Sequence, residues 1–479
     1  MNVILNRIGP IAKANISLDK RFYVFVGYNN SGKTYASYAL WSLYATQRRR
    51  YIHNTKSTPI SFPDFAGNNI EVPITTEKIS QVASDYSKNL SLGLSNIFNV
   101  SPDNPAFKKA RITLTGDYEK EWLKSRHKVL FGKSFQDKTS NQYILEKKSG
   151  EANFILSETP FIDAPNSKIF GSLKFTLTSA MLGNLKESVT DIVDFTIQET
   201  LFRFHHTPFF LPANRIFFPS YFKYIYSTEA KEFQSVRRQF RYTNELDLDA
   251  ISEYPHTEPV NQLIEAISSL PRLQARTQYS DLLLELEEII SGQLTFSQKE
   301  GIAPIDFKLR LDGGDDIDMY LASSSSNQLS LLYLYFKYWA TPDYNFLIID
   351  EPEENLHPKN QIKVANILIN FANRGTNKVL ITTHSPLVAE TINNNMFLSY
   401  LKEKQSLQAT DYPNKDYITE NALKSKAYGV YFFSDGQVSE YKPDDYGVYF
   451  RDFVQEESKI RETSDFLRHK ISSLKNKHD

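Results

Sequence analysis

The sequence predicts an α/β protein with a mostly parallel sheet, and three observations lead to this fold class. Residues 27–34 read GYNNSGKT and lie between an apolar, aromatic strand at 22–26 and a helix at 34–44. Much later, the apolar strand 346–349 runs directly into Asp350-Glu351. Predicted strands and helices then alternate, which is typical of β-α-β units whose strands are parallel.

The loop at 27–34 matches the phosphate-binding pattern G-x-x-x-x-G-K-[ST] in the strand-to-helix context that this motif requires. Its glycines permit a sharp turn that points successive N–H groups and the helix N-terminus at phosphates. A lysine neutralises the β- and γ-phosphates, and a hydroxyl ligates Mg²⁺. The sequence therefore predicts an ATP site with Mg²⁺, formed by Gly27, Asn29, Asn30, Ser31, Gly32, Lys33 and Thr34.

Two carboxylates follow the strand at 346–349, at the sheet edge where ligands of open α/β folds bind. We expect Asp350 to hold Mg²⁺, together with Thr34, and Glu351 to orient or deprotonate the attacking water. Acids at a strand end are often simply solvated. The long apolar strand before them and the phosphate loop favour a functional site.

Two further segments are candidates for phosphate contacts. His384 ends the next predicted strand, 34 residues after Asp350, and we expect it to contact the γ-phosphate. The run Ser323-Ser324-Ser325-Ser326 opens a helix, where hydroxyls and free N–H groups form an anion site. Taken alone, the histidine would be a structural residue and the serine run an N-cap.

Composition limits the function classes. The chain has 479 residues, 41% of them hydrophobic and 13% aromatic, with a formal net charge of −1 and no cysteine. Disulfides and thiolate catalysis are excluded, and no global charge attracts nucleic acid. The N-terminus lacks a signal peptide pattern, and no segment reaches the ~18 apolar residues of a membrane span. We therefore expect a cytoplasmic location without membrane insertion.

Local basic clusters leave nucleic-acid binding open. Arg48-Arg49-Arg50 is one cluster, and Arg237, Arg238 and Arg241 with Phe240 and Tyr242 form another. Arginines interleaved with aromatic residues bind a phosphate backbone and stack bases. A solvated charged surface is the alternative interpretation for both.

The chain is expected to divide into four parts. These are an N-terminal part of the ATPase head at 1–49, an inserted α+β region at 50–205, a C-terminal part of the head at 206–400 with a helical lid at 216–292, and a C-terminal hairpin and helix at 401–479. Within the insertion, the predicted elements are strands at 111–115, 128–131, 154–156 and 173–178 and a helix at 186–204. No segment sustains the heptads of a long coiled coil.

In order along the chain, these motifs resemble the ATP-binding-cassette (ABC-type) ATPase heads, above all the branch that contains SMC, RecF and OLD proteins and the ATPases of anti-phage systems. The resemblance rests on the loop at 27–34, the serine run, Asp350-Glu351-Pro352-Glu353-Glu354-Asn355-Leu356-His357-Pro358 and Thr383-His384-Ser385-Pro386. It implies a Walker A motif at 27–34, a Walker B motif ending at Asp350, a catalytic Glu351, a D-loop near 355–358 and a switch histidine at His384.

In such heads two copies sandwich ATP, and the signature segment of each copy contacts the γ-phosphate on the other. The resemblance thus implies at least a homodimer. The usual Ser-Gly-Gly-Gln signature is here Ser325-Ser326-Asn327-Gln328, and Ser325, Ser326 and Gln328 are its candidate phosphate contacts. Since both signature glycines are missing, we expect slow hydrolysis or weak dimerisation. The family's glutamine that contacts magnesium has no clear counterpart. The region Pro212-Ala213-Asn214-Arg215 is the candidate for its place, with Arg215 as the candidate residue.

Among the subfamilies, the long insertion and the altered signature disfavour transporter heads, and the missing coiled coils disfavour SMC and Rad50-like proteins. Asp444-Asp445 is only weak support for an OLD-type Toprim nuclease. The remaining resemblance is to stand-alone ATPase subunits of the PARIS or Septu type, which implies a partner effector or toxin and a phage-encoded trigger. A DNA-repair or DNA-remodelling ATPase similar to RecF is the alternative, and an ATP-locked scaffold without turnover is a third hypothesis.

Overall fold

The computed structural model describes residues 1–45, 59–64, 69–132, 142–159, 172–174, 185–202, 204–222, 256–298, 305–404, 422–443 and 447–475. The chain divides into two compact units. The smaller unit contains residues 1–4, 46–93 and 111–205, and the larger unit contains residues 5–45, 94–110 and 206–479. Both basic clusters, at 48–50 and 237–242, and Asp444-Asp445 lie outside the described residues.

The secondary structure follows the chain in this order. The strands are β1 (Asn2–Ile8), β2 (Ile11–Ser17), β3 (Phe22–Gly27), β4 (Ile70–Val72), β5 (Arg111–Thr115), β6 (His127–Gly132), β7 (Gln142–Lys147), β8 (Phe154–Thr159), β9 (Ser172–Lys174), β10 (Thr207–Leu211), β11 (Gly292–Ser297), β12 (Asp306–Leu311), β13 (Asp316–Asp318), β14 (Asn345–Asp350), β15 (Lys378–Thr382), β16 (Tyr428–Ser434) and β17 (Gln437–Tyr441). The helices are α1 (Lys33–Ala45), α2 (Thr76–Leu92), α3 (Leu94–Phe98), α4 (Tyr118–Lys124), α5 (Leu185–Phe202), α6 (Glu258–Ser269), α7 (Ser280–Ile290), α8 (Ser324–Leu334), α9 (Pro358–Asn373), α10 (Pro386–Glu403) and α11 (Arg451–Lys475).

The main sheet of the larger unit is mostly parallel, which confirms the predicted fold class. Its strands follow one another in the order β10-β14-β15-β3-β16-β17-β2-β1. All neighbours from β10 to β16 run parallel, and β17 returns antiparallel to β16. A second, antiparallel sheet consists of β11, β12 and β13.

The central strands read as continuous apolar runs because both faces of the sheet are covered. All six residues of β14 are buried, as are five of the six in β3. The register places the ends of the strands side by side, with Asp350 opposite Thr382 and Ile349 opposite Leu211. The segments that follow β10, β14, β15 and β3 therefore meet at the carboxyl edge of one sheet.

Two segments lie elsewhere than the predicted division implies. The hairpin at 428–441, expected in a separate C-terminal part, contributes β16 to the main sheet, where it pairs with β3. Residues 94–110, expected in the insertion, belong to the larger unit. The physical reason is aromatic packing, because the Tyr35 ring on α1 stacks on Phe98 and Phe107 at centroid distances of 5.3 and 6.1 Å.

The smaller unit contains the antiparallel-rich sheet β4-β8-β7-β6-β9 together with α2, α4 and α5. The strands predicted at 111–115, 128–131 and 154–156 are present, and the strand predicted at 173–178 is described only to residue 174. Helix α2 was not predicted. Its serines Ser87 and Ser91 accept hydrogen bonds from the Leu114 and Ile112 amides of β5. These hydroxyls satisfy backbone N–H groups of β5 that do not take part in strand pairing.

Among the helices described above, none combines the length and apolar character needed to cross a bilayer.

Candidate functional site

The loop between β3 and α1 has a backbone that only glycine fits at two positions. Gly27 has φ +136° and Gly32 has φ +104°. A Cβ at Gly27 would lie 2.1 Å from the Phe433 carbonyl oxygen, and a Cβ at Gly32 would lie 2.5 Å from Cγ1 of Ile11. The two glycines are thus required both by backbone conformation and by close neighbours. Asn29 and Asn30 lie exposed between them.

Lys33 is buried against the loop that it follows. Its Nζ donates hydrogen bonds to the carbonyl oxygens of Gly27 at 3.0 Å and Tyr28 at 2.8 Å. The hydroxyl of Ser31 donates to the same Tyr28 oxygen at 2.6 Å. Burial lowers the pKa of Lys33, and the nearby Glu351 carboxylate opposes this shift. The loop thus presents a desolvated ammonium group at the start of a 13-residue helix, which favours anion binding.

Asp350 lies at the centre of a cluster of hydroxyl groups. Thr34 Oγ1 donates to its Oδ2 at 2.9 Å, and Thr382 Oγ1 donates to its Oδ1 at 3.1 Å. Burial is the main reason that the pKa of Asp350 is raised to about 6. A hydroxyl and a carboxylate within hydrogen-bonding distance are both hard oxygen donors, which is the donor type that Mg²⁺ requires. The residues present therefore fit this cation.

Glu351 directs its side chain into a more open environment than Asp350. Its φ of +47° turns the chain, and its amide donates to both Thr382 O and Thr382 Oγ1 at 3.1 Å. Glu351 Oε1 lies 3.6 Å from His384 Nε2, and both side chains are about one-third exposed. Burial, followed by the charge of Lys33, lowers the pKa of His384, which favours the neutral imidazole.

A second glutamate, which sequence reasoning did not single out, holds the histidine segment in place. Glu353 is 8% exposed, and its Oε1 accepts hydrogen bonds from Thr383 Oγ1 at 2.6 Å and from the His384 amide at 3.0 Å. Ser385 Oγ in turn donates to Gln361 Oε1 at 2.7 Å, and Gln361 Nε2 donates to Leu356 O at 3.0 Å. Two separate sets of hydrogen bonds, one from Glu353 and one through Gln361, therefore connect the loop after Asp350 with the histidine segment.

The serine run lies partly inside the protein. Ser323 caps α8, since its Oγ accepts a hydrogen bond from the Ser326 amide at 3.1 Å. Ser323 and Ser324 are exposed and Ser325 is half-buried, whereas Ser326 and Gln328 are buried. Ser326 Oγ donates to Ile290 O at 3.2 Å, and the Gln328 amide donates to Ala213 O at 3.2 Å. The exposed hydroxyls therefore belong to the first part of the run.

Arg215 lies at the same sheet edge but has no metal-binding function. It follows β10 and is 1% exposed, and it donates all of its described hydrogen bonds to carbonyl oxygens, including those of Asp350 and Glu351. A guanidinium group has no acceptor lone pair. Arg215 therefore cannot replace the family's glutamine as a magnesium contact, for which it was the sequence-based candidate.

The family model described as AAA ATPase domain matches residues 3–389, about four-fifths of the chain. The chain belongs to the AAA ATPase domain family. This match confirms that the chain is a nucleotide-binding ATPase. The matched range includes Lys33, Asp350, Glu351 and His384.

Comparison with solved structures returns heads of SMC proteins. One is the Smc head domain of Pyrococcus furiosus with an extended coiled coil, bound to the C-terminal domain of ScpA, which is 11% identical with a TM-score of 0.30 over 96% of this chain and 98% of that chain. Another is a SmcHead bound to the C-winged helix domain of ScpA, which is 11% identical with a TM-score of 0.31 over 92% and 96%. The SMC head domain of Thermotoga maritima is 11% identical with a TM-score of 0.29 over 92% and 98%. Comparison with curated proteins gives no significant match.

For this AAA ATPase domain, the sequence motifs and the structure agree on which segments meet. Lys33, Thr34, Asp350, Glu351 and His384 come from three neighbouring strand ends of one sheet. Sequence reasoning missed Glu353, although its place directly after Pro352, close to the end of an apolar strand, was a usable signal. It also missed Thr382 and Thr383, whose hydroxyls bind two buried carboxylates.

Proposed function

We propose that this chain is an ABC-type head that hydrolyses ATP in a site completed by a second copy of the chain. The observation that carries the proposal is the convergence of Lys33, the Thr34–Asp350 pair at 2.9 Å and the Glu351–His384 pair at 3.6 Å on one sheet edge. Each of these groups has a distinct use in phosphoryl transfer. One copy supplies all of these groups. The second copy would supply the contact to the opposite side of the γ-phosphate.

The proposed roles follow from the environment of each side chain. The loop amides of Asn29, Asn30 and Ser31 and the Lys33 ammonium bind the β- and γ-phosphates. Glu351 accepts the proton of a water molecule as the water oxygen bonds to the γ-phosphorus and the bond to ADP breaks. The neutral His384 donates a hydrogen bond to a γ-phosphate oxygen. Because His384 and Glu351 are close together, one side chain orients the other.

Asp350 and Thr34 are the proposed ligands of Mg²⁺. The ion, when bound, screens the charge of the β- and γ-phosphate oxygens. Asp350 provides a carboxylate that Thr34 and Thr382 hold in a fixed orientation. Thr34 provides a hydroxyl from the first turn of α1, directly after Lys33.

The exposed start of α8 is the proposed contact to the nucleotide on the other copy. Ser325 is half-buried and its Oγ lies 2.9 Å from Ser323 Oγ, so the two hydroxyls are held at the helix N-terminus. Ser326 and Gln328 support this segment from the inside through Ile290 and Ala213. Missing glycines in this segment are the reason to propose slow turnover.

In the cell, the proposed ATPase is a nucleotide-controlled sensor or scaffold for a separate effector protein, in anti-phage defence. The support for this finer statement is the motif resemblance. A phage product is the proposed trigger. A DNA-repair or DNA-remodelling ATPase is the alternative. Its arginine cluster at 237–241 lies outside the described residues.

Light scattering with and without ATP and Mg²⁺, together with phosphate release, tests the proposal. We expect wild type to double its mass with ATP and to release phosphate slowly. Glu351→Gln should stay dimeric with ATP and release phosphate about 10²–10³-fold more slowly than wild type, whereas Lys33→Ala should remain monomeric. A wild type that stays monomeric with ATP would contradict the composite site. Full biological function of Glu351→Gln would favour a scaffold that needs no hydrolysis. Faster phosphate release on addition of duplex DNA would favour the DNA-repair or DNA-remodelling alternative.

A further inference from the structure

Arg215 connects the serine segment with the carboxylate segment of the same chain. Its Nε donates to Gln328 O at 3.0 Å, on α8. Its Nη1 donates to Asp350 O at 2.7 Å and to Pro212 O at 3.0 Å, and its Nη2 donates to Glu351 O at 3.1 Å. One rigid, planar group therefore fixes three main-chain segments relative to one another.

Other bonds strengthen the link to α8. The Gln328 side chain donates to Ala213 O at 3.2 Å, and Ser220 Oγ donates to Asn327 Oδ1 at 2.8 Å. The segment that follows β10 is thus bonded to two successive residues of the predicted signature. If the start of α8 moves, the Arg215 segment must move with it or buried hydrogen bonds break. Each broken bond would leave a buried polar group without a partner, which is costly.

No carboxylate of the described residues forms a direct ion pair with Arg215. Burial lowers its pKa to about 10, and the carboxylates of Glu354, Glu353, Asp350 and Glu351 oppose this shift in that order. The guanidinium therefore stays charged at neutral pH. Its attraction to these acidic groups and to four carbonyl oxygens makes it a stiff connection rather than a replaceable packing residue.

We propose that Arg215 is a positioning residue that couples the two ATP sites of the dimer. The inference rests on the proposed function, in which α8 contacts the nucleotide of the other copy while Asp350 and Glu351 act on the chain's own nucleotide. Arg215 bonds to both segments. Engagement of the serine segment at one site therefore adjusts the main chain of Asp350-Glu351 at the other, so ATP turnover is cooperative between the sites.

Arg215→Lys tests this coupling, because lysine keeps the charge but replaces the rigid, planar five-donor fork with a single ammonium nitrogen. Arg21→Lys is the matched control, since Arg21 also donates to several carbonyl oxygens, among them Gly375 O at 2.8 Å and Arg374 O at 3.1 Å, which are not part of the site. Three quantities are measured for each full-length chain. They are the rate of phosphate release as a function of ATP concentration, the Kd for a non-hydrolysable ATP analogue at a protein concentration low enough to keep the chain monomeric, and the melting temperature.

We expect a Hill coefficient above one for wild type and for Arg21→Lys, and about one for Arg215→Lys. For Arg215→Lys, kcat should fall about tenfold or more while the monomer Kd changes by less than about twofold. Cooperativity that survives in Arg215→Lys would overturn the inference. So would equal losses of kcat and melting temperature in the two variants, since these would show a purely structural role.

Light scattering on the same samples separates this inference from the proposed function. A wild type that dimerises with ATP but has a Hill coefficient of one overturns the coupling alone. A wild type that never dimerises overturns both.

Discussion

Asp350 and Glu351 are adjacent, yet the structure gives the two carboxylates different surroundings. Asp350 is 4% exposed and accepts hydrogen bonds from two threonine hydroxyls. Glu351 itself has a left-handed backbone conformation and faces His384 in a partly open position. A fixed, buried carboxylate suits cation binding, and an accessible carboxylate suits proton transfer from water. Sequence adjacency alone does not reveal this difference, because it depends on the φ of one residue.

Replacing Glu351 by glutamine should remove proton transfer and preserve nucleotide binding. We expect kcat for phosphate release to fall by about 10²–10³-fold, since a positioned general base contributes on that order. The Kd for ATP should change little, because glutamine has nearly the size of glutamate and the backbone hydrogen bonds of residue 351 are unaffected. Glu390→Gln, an exposed change on α10, serves as the control and should leave kcat unchanged.

The smaller unit should become less stable in mild acid because of His127. Burial lowers the pKa of His127 to about 4, and Lys147 adds to this shift, while Thr200 Oγ1 lies 2.8 Å from its Nε2. The unfolded chain therefore takes up a proton near pH 6.5 and the folded chain does not. Stability from this group is complete above pH 6.5 and is lost as the pH falls towards 4.

The loss between pH 7 and pH 5 should be about 1 kcal/mol, allowing for partial exposure. Urea unfolding of wild type and His127→Gln at both pH values measures it, because glutamine cannot be protonated in this range. A pH dependence that is the same in both proteins would contradict the role of His127.

At the scale of elements, the phosphate loop depends on its neighbours in the sheet. Gly27 is the last residue of β3 and lies opposite Phe433 of the neighbouring strand β16. The C-terminal hairpin is thus one reason that this position must be glycine, since an added Cβ would meet the Phe433 carbonyl. The pairing of residue 27 with residue 433 connects distant parts of the chain, and no local sequence pattern predicts it.

Gly27→Ala should destabilise the larger unit by about 3 kcal/mol, through backbone strain at φ +136° and the close approach of Phe433 O. Gly313→Ala is the matched control, because a Cβ at that turn meets no atom within 4 Å. Its effect should stay within about 0.5 kcal/mol. Equal effects in urea unfolding would refute the steric explanation.

The sequence predicted elements well where local and long-range signals agree. The strands β3, β14 and β15 are apolar on both faces, so their positions and types were clear before their neighbours were known. Helix α2 was missed, although Thr75 caps its N-terminus by accepting a hydrogen bond from the Lys78 amide. Its buried residues Ile79, Val82, Ala83 and Leu90 also have helical spacing.

The candidate site shows the same division. Lys33, Thr34, Asp350 and His384 were predicted from motifs because their chemistry requires particular residue types after particular elements. Arg215 and Glu353 act through buried hydrogen bonds to segments that are remote in sequence. Only the folded chain shows such partners, so the positions of these two side chains in the site could not be predicted from the sequence.

At the scale of the whole molecule, the larger unit holds both halves of the proposed composite site on different elements. The phosphate loop precedes α1, and the serine segment begins α8. A two-fold dimer would use each half twice, as required for a closed symmetric assembly. The central claim is therefore that one chain completes the site of another.

Mixing two inactive variants tests this claim most directly. Lys33→Ala lacks a working phosphate loop but keeps its serine segment, whereas Ser325→Arg keeps its phosphate loop and lacks a usable serine segment. Each mixed dimer has one intact site of two, so we predict that the mixture recovers up to about half of wild-type phosphate release, whereas neither variant alone releases phosphate. A mixture as inactive as its components would contradict a site shared between two chains.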